Sequence, residues 1–332
     1  MHPLSRYLRI VGGAARPRYL VARSVGAEVS SSRGQQWEEH ARAMERARAI
    51  IDGSDPPVSP SLVDLKVELA RPHMSSCSLC PWRCGPARPS GRGRCGVTRP
   101  RVASAFIHLG EEAPLVPSYT VFFSGCNLDC AFCQNYDLSN MPDRGAELAA
   151  EDLARSLDAT VMSGRGIRNI NWVGGDPVPA LPYVLDVLRQ MEAGVAQVWN
   201  SNMYLEEGPM RLLDGVIDVY LTDLKFGNDV CARRLCGALD YSTVVRRNHL
   251  MAADQGEVLV RHLQLPGHLE CCTLPIIDWL ADHMPSAAVN LMDQYRPEHR
   301  AYEHPELRRA LTREEHRRAL EQAMDRGLFL LE

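Results

Sequence analysis

The chain is predicted to adopt an α/β fold, a partial (β/α)6 TIM-type barrel with a small N-terminal cysteine-rich metal module. Two patterns predict it. After residue 118, six short apolar runs alternate with helical stretches, the mark of parallel βαβ units. Ahead of them, four cysteines fall within 19 residues crowded with proline and glycine, a segment that cannot order itself by apolar packing.

Length and composition agree with that reading. At 332 residues the chain can bury one large core, and 45% apolar with 23% charged residues is ordinary for a globular protein. A net charge of −4 gives no electrostatic reason to expect nucleic acid. No apolar run approaches the roughly 18 residues of a membrane span. Eleven cysteines, seven of them in two tight groups, read as metal ligands in a reducing compartment. Residues 1–27 carry five arginines and no acid, as transit peptides do. Yet 35 of the 37 basic residues are arginine, leaving only Lys66 and Lys225, so background composition explains the bias. The expectation is a cytoplasmic protein.

Residues 1–35 show no sustained period and read as loosely ordered. From Gln36 to Ile51, apolar residues recur every three or four positions, which predicts an amphipathic helix. Asp55-Pro56-Pro57 and Ser59-Pro60 then break the chain, so residues 1–71 form an N-terminal extension. Residues 72–117 form the four-cysteine module and 118–300 the barrel. Strands are expected at Thr120–Phe123, Asn169–Val173, Ala196–Asn200, Ile217–Leu221, Val258–Leu263 and Ala288–Leu291. Helices are expected at Glu147–Met162, Tyr183–Ala193, Pro209–Leu213 and Leu274–His283. In the last segment, 301–332, Thr312-x-x-Glu315 has capping-box form and opens a helix that Gly327 stops.

Cys126-x3-Cys130-x2-Cys133 follows directly on the first strand, at the barrel face where βα loops build active sites. Three soft thiolates without a nearby fourth suit a 4Fe–4S cluster that keeps one iron free for an outside ligand. A structural zinc site would instead call for paired C-x2-C hooks. The lead-in Phe122-Phe123-Ser124-Gly125 and the exit Phe132-Cys133-Gln134-Asn135 resemble the radical S-adenosylmethionine (SAM) superfamily, and among its members the relatives of pyruvate formate-lyase activating enzyme. In that superfamily SAM chelates the open iron.

The resemblance implies further site residues at later strand ends. Gly174-Gly175-Asp176-Pro177 stands where the family carries Gly-Gly-Glu-Pro, which binds the ammonium of SAM; here the acid is one methylene shorter. Ser201, in Asn200-Ser201-Asn202, matches a SAM contact, while Asn200 replaces an acid tied to a monovalent cation. Asp223-Leu224-Lys225 resembles an Asp-x-Lys element whose lysine reaches SAM and substrate, which makes Lys225 the candidate catalytic residue. Arg261, five positions ahead of Pro266 in an Arg-x-x-x-x-Pro-Gly segment, matches an arginine that meets the carboxylate side of SAM. One family element is missing: Met292-Asp293-Gln294-Tyr295 occupies the place of a histidine-bearing segment. Either Tyr295 substitutes for that histidine or the contact is gone.

The module cysteines Cys77, Cys80, Cys84 and Cys95 read as a zinc site or an auxiliary iron–sulfur cluster, whose coordination energy would serve as folding energy. Cys77-Ser78-Leu79-Cys80-Pro81 resembles a leader of uncharacterised relatives in the same family. His108-Leu109-Gly110-Glu111-Glu112 resembles the segment that follows it there; Glu111 and Glu112 are expected in a solvated turn rather than a catalytic role. Cys231, Cys236, Cys271 and Cys272 read as buried cysteines without a role.

Taken with the resemblance, these residues imply reductive cleavage of SAM to a 5′-deoxyadenosyl radical, with an electron from flavodoxin or ferredoxin. That radical would remove a hydrogen atom from a backbone glycine of a glycyl radical enzyme, from a small molecule, or from a peptide. A non-catalytic iron–sulfur electron carrier or redox sensor is the reading from another class. It would need neither Gly-Gly-Asp-Pro nor Arg261.

Overall fold

A computed structural model describes residues 2–50, 53 and 55–331. Its strands form one sheet in chain order: β1 (Val102–His108), β2 (Ser118–Phe123), β3 (Asn169–Gly174), β4 (Ala196–Ser201), β5 (Val219–Asp223), β6 (Glu257–Leu263), β7 (Ala288–Met292) and β8 (Phe329–Leu330). β1 pairs antiparallel with β2, and every later pairing is parallel. The six expected strands correspond to β2–β7. β1 escaped notice because Ala103, Ser104 and Ala105 give it little apolar alternation, and its faces are mostly half-exposed. It lies inside the span read as the cysteine module.

The helices are α1 (Ser5–Val11), α2 (Arg18–Ser24), α3 (Arg33–Ala49), α4 (Leu62–Ala70), α5 (Tyr136–Ser139), α6 (Ala150–Met162), α7 (Leu181–Gln190), α8 (Glu207–Leu213), α9 (Asp229–Cys236), α10 (Tyr241–Gln255), α11 (Leu274–His283) and α12 (Arg313–Asp325). From α6 onward they back the parallel strands. Ser61 and Asp64 cap α4 reciprocally, as Thr312 and Glu315 cap α12. The end expected for α3, Ile51, lies outside the described residues. Among those residues no helix is long and apolar enough to cross a membrane.

The expectation of a loose N-terminus is overturned. Leu4, Tyr7 and Ile10 of the α1 region pack with Leu115 against Ala196, Val198, Val219, Leu221, Leu259 and Ala288, so α1 fills the N-terminal end of the barrel. The backbone amides of Arg6 and Tyr7 donate to the Glu257 carboxylate at 2.6 and 2.7 Å, and Asn169 Nδ2 donates to Tyr7 Oη at 2.9 Å. The segment is ordered by tertiary burial. A helix of 7 residues is too short to show a period, which is why the sequence pattern missed it.

Candidate active site at the barrel mouth

Cys126, Cys130 and Cys133 leave β2 on one loop and line a cavity of 370 Å³ at the C-terminal ends of the strands. That volume suits a small-molecule ligand. The loop is pressed against the exit of β3. A Cβ on Gly174 (φ +138°) would collide with the backbone of Phe123, and one on Gly175 with the carbonyl of Gly125. Both glycines are therefore required by close approach, and Gly174 also by conformation.

Burial pushes the thiols of Cys126 and Cys133 above the usual range. For Cys130 the hydrogen bond with Cys236 comes first and burial second. Three buried neutral thiols bind metal only by releasing protons. The ammonium of Lys225, which favours the thiolate forms of Cys130 and Cys133, points them that way. Lys225 Nζ donates to Asp223 Oδ2 at 2.6 Å. Burial opposes its charge, but Asp223 and then Cys130 outweigh it and raise its pKa.

Asp176 and Ser201 meet. The buried Asp176 carboxylate accepts from the amide of Asn202 at 2.8 Å, from that of Val178 at 2.9 Å and from Ser201 Oγ at 3.2 Å. Burial still raises its pKa to about 6. Asn202 continues the chain of contacts, donating to Asn127 Oδ1 at 2.9 Å and to Cys126 Sγ at 3.7 Å. Asp176 thus joins the exits of β3 and β4 to the cysteine loop.

Arg261 is not free. It donates to both oxygens of Glu112, from Nε at 2.8 Å and Nη2 at 2.7 Å, and Nη2 also pairs with Glu111. Glu112 further accepts from Asn290 Nδ2 at 2.8 Å, and Glu111 from Asn171 Nδ2 at 2.8 Å. The two glutamates therefore form a buried wall of the site, not the expected solvated turn. Against the upward push of burial, Arg261 holds the Glu112 carboxyl below the usual range. Sequence reasoning found both glutamates but could not see the arginine about 150 residues away that removes them from solvent. Nor does Tyr295 stand in for the missing histidine: it is buried with its hydroxyl on the Leu307 carbonyl at 2.7 Å, while Met292 and Gln294 line the cavity.

Cys77, Cys80, Cys84 and Cys95 gather beside this site. Cys77 and Gly85 exchange backbone hydrogen bonds of 2.9 and 2.8 Å, and the amide of Arg94 donates to Cys84 Sγ at 3.2 Å. Trp82 Nε1 donates to the carbonyl of Asn127 at 2.7 Å, tying the segment to the cysteine loop of the barrel. Among the described residues, the group of three or more Cys, His or acid side chains with ligand atoms within 4.8 Å of one another is elsewhere, at Cys231, His268, Cys271 and Cys272. Sequence reasoning left those cysteines without a role, because their partner His268 carries no motif.

The residues around the cavity fit a 4Fe–4S cluster with SAM. Three convergent thiols serve soft iron, and a cradle without Cβ atoms lies beside them. The family model agrees with the chemistry of this donor set. The model of the "Radical SAM superfamily" matches residues 120–280. The uncharacterized protein MJ0674 of Methanocaldococcus jannaschii is 40% identical over 340 residues, covering 99% of each chain. A domain of pyruvate-formate lyase-activating enzyme from Bacteroides vulgatus is similar at 14% identity and TM-score 0.41, over 49% of this chain and 97% of that one. Methylornithine synthase (PylB) is similar at 13% identity and TM-score 0.46, over 98% of this chain and 77% of that one.

Proposed function

The chain belongs to the radical SAM superfamily, and we propose that it is an enzyme that cleaves SAM at the Cys126–Cys130–Cys133 loop and takes a hydrogen atom from a substrate held in the barrel mouth. The family implies a 4Fe–4S cluster and SAM as cofactors. When bound and reduced, that pair supplies a 5′-deoxyadenosyl radical. The observation that carries the reading is the convergence of three thiols with the ends of β3, β4, β5 and β6 on one cavity.

Each side chain then has a task. Cys126, Cys130 and Cys133 are the cluster ligands, and Lys225 favours deprotonation of Cys130 and Cys133. Gly174 and Gly175 bring backbone within reach of the SAM amino-acid portion, while Asp176 and Ser201 fix the strand exits around it. Lys225, oriented by Asp223, is the candidate catalytic residue. Arg261 with Glu111 and Glu112 leaves a net negative wall, suited to hydroxyl or cationic groups rather than to a carboxylate. Phe122, Leu128 and Phe132 line the cavity with apolar surface that limits water.

The strand-β7 exit favours a small molecule or peptide as substrate over the glycine of a glycyl radical enzyme. Met292 and Gln294 face the cavity where an activase of that type presents histidine, and Tyr295 is turned away. A flavodoxin- or ferredoxin-type protein is the proposed electron donor. For the module at residues 72–117, an auxiliary iron–sulfur cluster is favoured over zinc. Its four thiols, like the three of the barrel loop, are not among the side chains whose ligand atoms all lie within 4.8 Å of one another, as one ion would require. Changing Cys77 and Cys80 to Ala should then remove about four irons per chain rather than one zinc.

The function is tested by incubating reconstituted protein anaerobically with SAM, dithionite and candidate substrates. Formation of 5′-deoxyadenosine is expected, with deuterium carried into it from the labelled substrate. Intact SAM after reduction of the cluster would refute the reading.

A further inference from the structure

We propose that Cys231, His268, Cys271 and Cys272 form a mononuclear zinc site, separate from both cysteine groups described above, that clamps the loop after β5 to the loop after β6. The four ligand atoms lie within 4.8 Å of one another. Cys231 Sγ is 3.8 Å from Cys271 Sγ, which is 3.9 Å from Cys272 Sγ. His268 Nδ1 is 3.5 Å from Cys231 Sγ, 3.4 Å from Cys271 Sγ and 3.9 Å from Cys272 Sγ. A tetrahedral zinc ion with ordinary Zn–S and Zn–N bonds requires edges of about 3.8 Å between sulfurs and about 3.6 Å between sulfur and nitrogen. Five of the six edges of a Cys3His tetrahedron are thus close to these lengths, and the sixth, Cys231 to Cys272, is within 4.8 Å.

The surroundings are built for it. Cys271 and Cys272 sit on a π-helical turn, Leu269–Thr273, a rare element that is frequent at functional sites. Cys231 lies in the first turn of α9, where its amide donates to the cap Asn228 at 2.9 Å. Asn228 Nδ2 in turn donates to the Cys271 carbonyl at 2.7 Å and lies 3.7 Å from Cys272 Sγ. A Cβ on Gly227 would stand 2.7 Å from Cys272 Cα, so the two loops are pressed together before any ion binds. On the far side of the ring, His268 Nε2 lies 3.3 Å from Arg234 Nη2 and 3.5 Å from Glu306 Oε1.

The place of the site gives it a structural task. The end of α9 accepts hydrogen bonds from the barrel's cysteine loop, Leu235 O from the amide of Ala131 at 2.7 Å and Cys236 O from that of Asp129 at 3.3 Å. An ion on Cys231 therefore anchors the helix that braces this loop. Because four protein ligands fill the tetrahedron, the site is structural rather than catalytic.

The test is elemental analysis and zinc-edge X-ray absorption on the full-length protein, with Cys231→Ala, Cys271→Ser and Cys77→Ala/Cys80→Ala variants. Cys231→Ala should lose about one zinc per chain, whereas Cys77→Ala/Cys80→Ala should keep it. The absorption edge should report three sulfurs and one nitrogen. Cys271 is exposed, so Cys271→Ser keeps the fold while releasing zinc to a chelator at least roughly tenfold more readily. Zinc content unaffected by Cys231→Ala, iron in place of zinc, or a disulfide joining Cys231 to Cys271 in the native protein would each overturn the proposal.

Discussion

Arg261 grips Glu112 at two points, at 2.8 and 2.7 Å, although the two residues leave different strands and both are largely buried. Nη2 also pairs with Glu111, so one guanidinium is shared between two carboxylates, with Glu112 holding it at two points. Glu112→Ala should leave the buried Arg261 with Glu111 as its one remaining carboxylate and destabilise the protein by about 3 kcal/mol in urea denaturation. Replacing both partners together by methionine should cost far less. A single and a double variant of equal stability would mean that the grip does not exist in solution.

Loss of any one thiol from the barrel loop leaves too few ligands for a cluster with a single open iron. Cys126→Ala, Cys130→Ala and Cys133→Ala should each abolish one cluster's absorbance and all formation of 5′-deoxyadenosine. Chromatography of the reduced reaction mixture reads the outcome, and retained cleavage in any variant contradicts the assignment.

How far the sequence carried is decided by the range of each interaction. The strands β2–β7 were legible because each is an apolar run between turn residues. The capping box at Thr312 was legible because its partners are three residues apart. Lys225 and Asp223 were legible as neighbours two positions apart on a strand exit. The helix α1 was not, since the strands of the barrel end that bury it are more than 150 residues away. Glu112 reads as a turn residue until Arg261 is beside it. Cys231 and Cys271 are 40 positions apart, and nothing local marks them as neighbours.

Gly175 is a steric requirement that can be tested apart from chemistry. Its Cα faces the carbonyl of Gly125 and the Cα of Ser139, so that an added methyl must displace the cysteine loop. Gly175→Ala should destabilise the protein by ~3 kcal/mol and lower the iron retained after reconstitution. Gly164→Ala, where no atom lies within 4 Å but φ is +75°, provides the comparison: strain alone, with the iron content unchanged. Equal iron retention in the two variants would rule out the close approach.

Lys66 offers a test of the buried N-terminal helices through pH. Its side chain is fully buried in α4, with Nζ 2.7 Å from His40 Nε2, and burial, opposed by Asp214 but aided by Arg211 and Arg48, lowers its pKa to about 7. The unfolded chain, with an ordinary lysine, keeps that proton up to about pH 10.5. Between these values the unfolded state binds more protons than the native one, so stability rises with pH; below pH 7 both states are protonated and the full penalty persists. In Lys66→Met this contribution is absent. The stability difference between wild type and variant should shift in favour of wild type from pH 7 to 9, by at most about 1.4 kcal/mol per pH unit. Denaturant titrations that run parallel across that window would place the amine in water, and with it the packing of α3 against α4 would have to be redrawn.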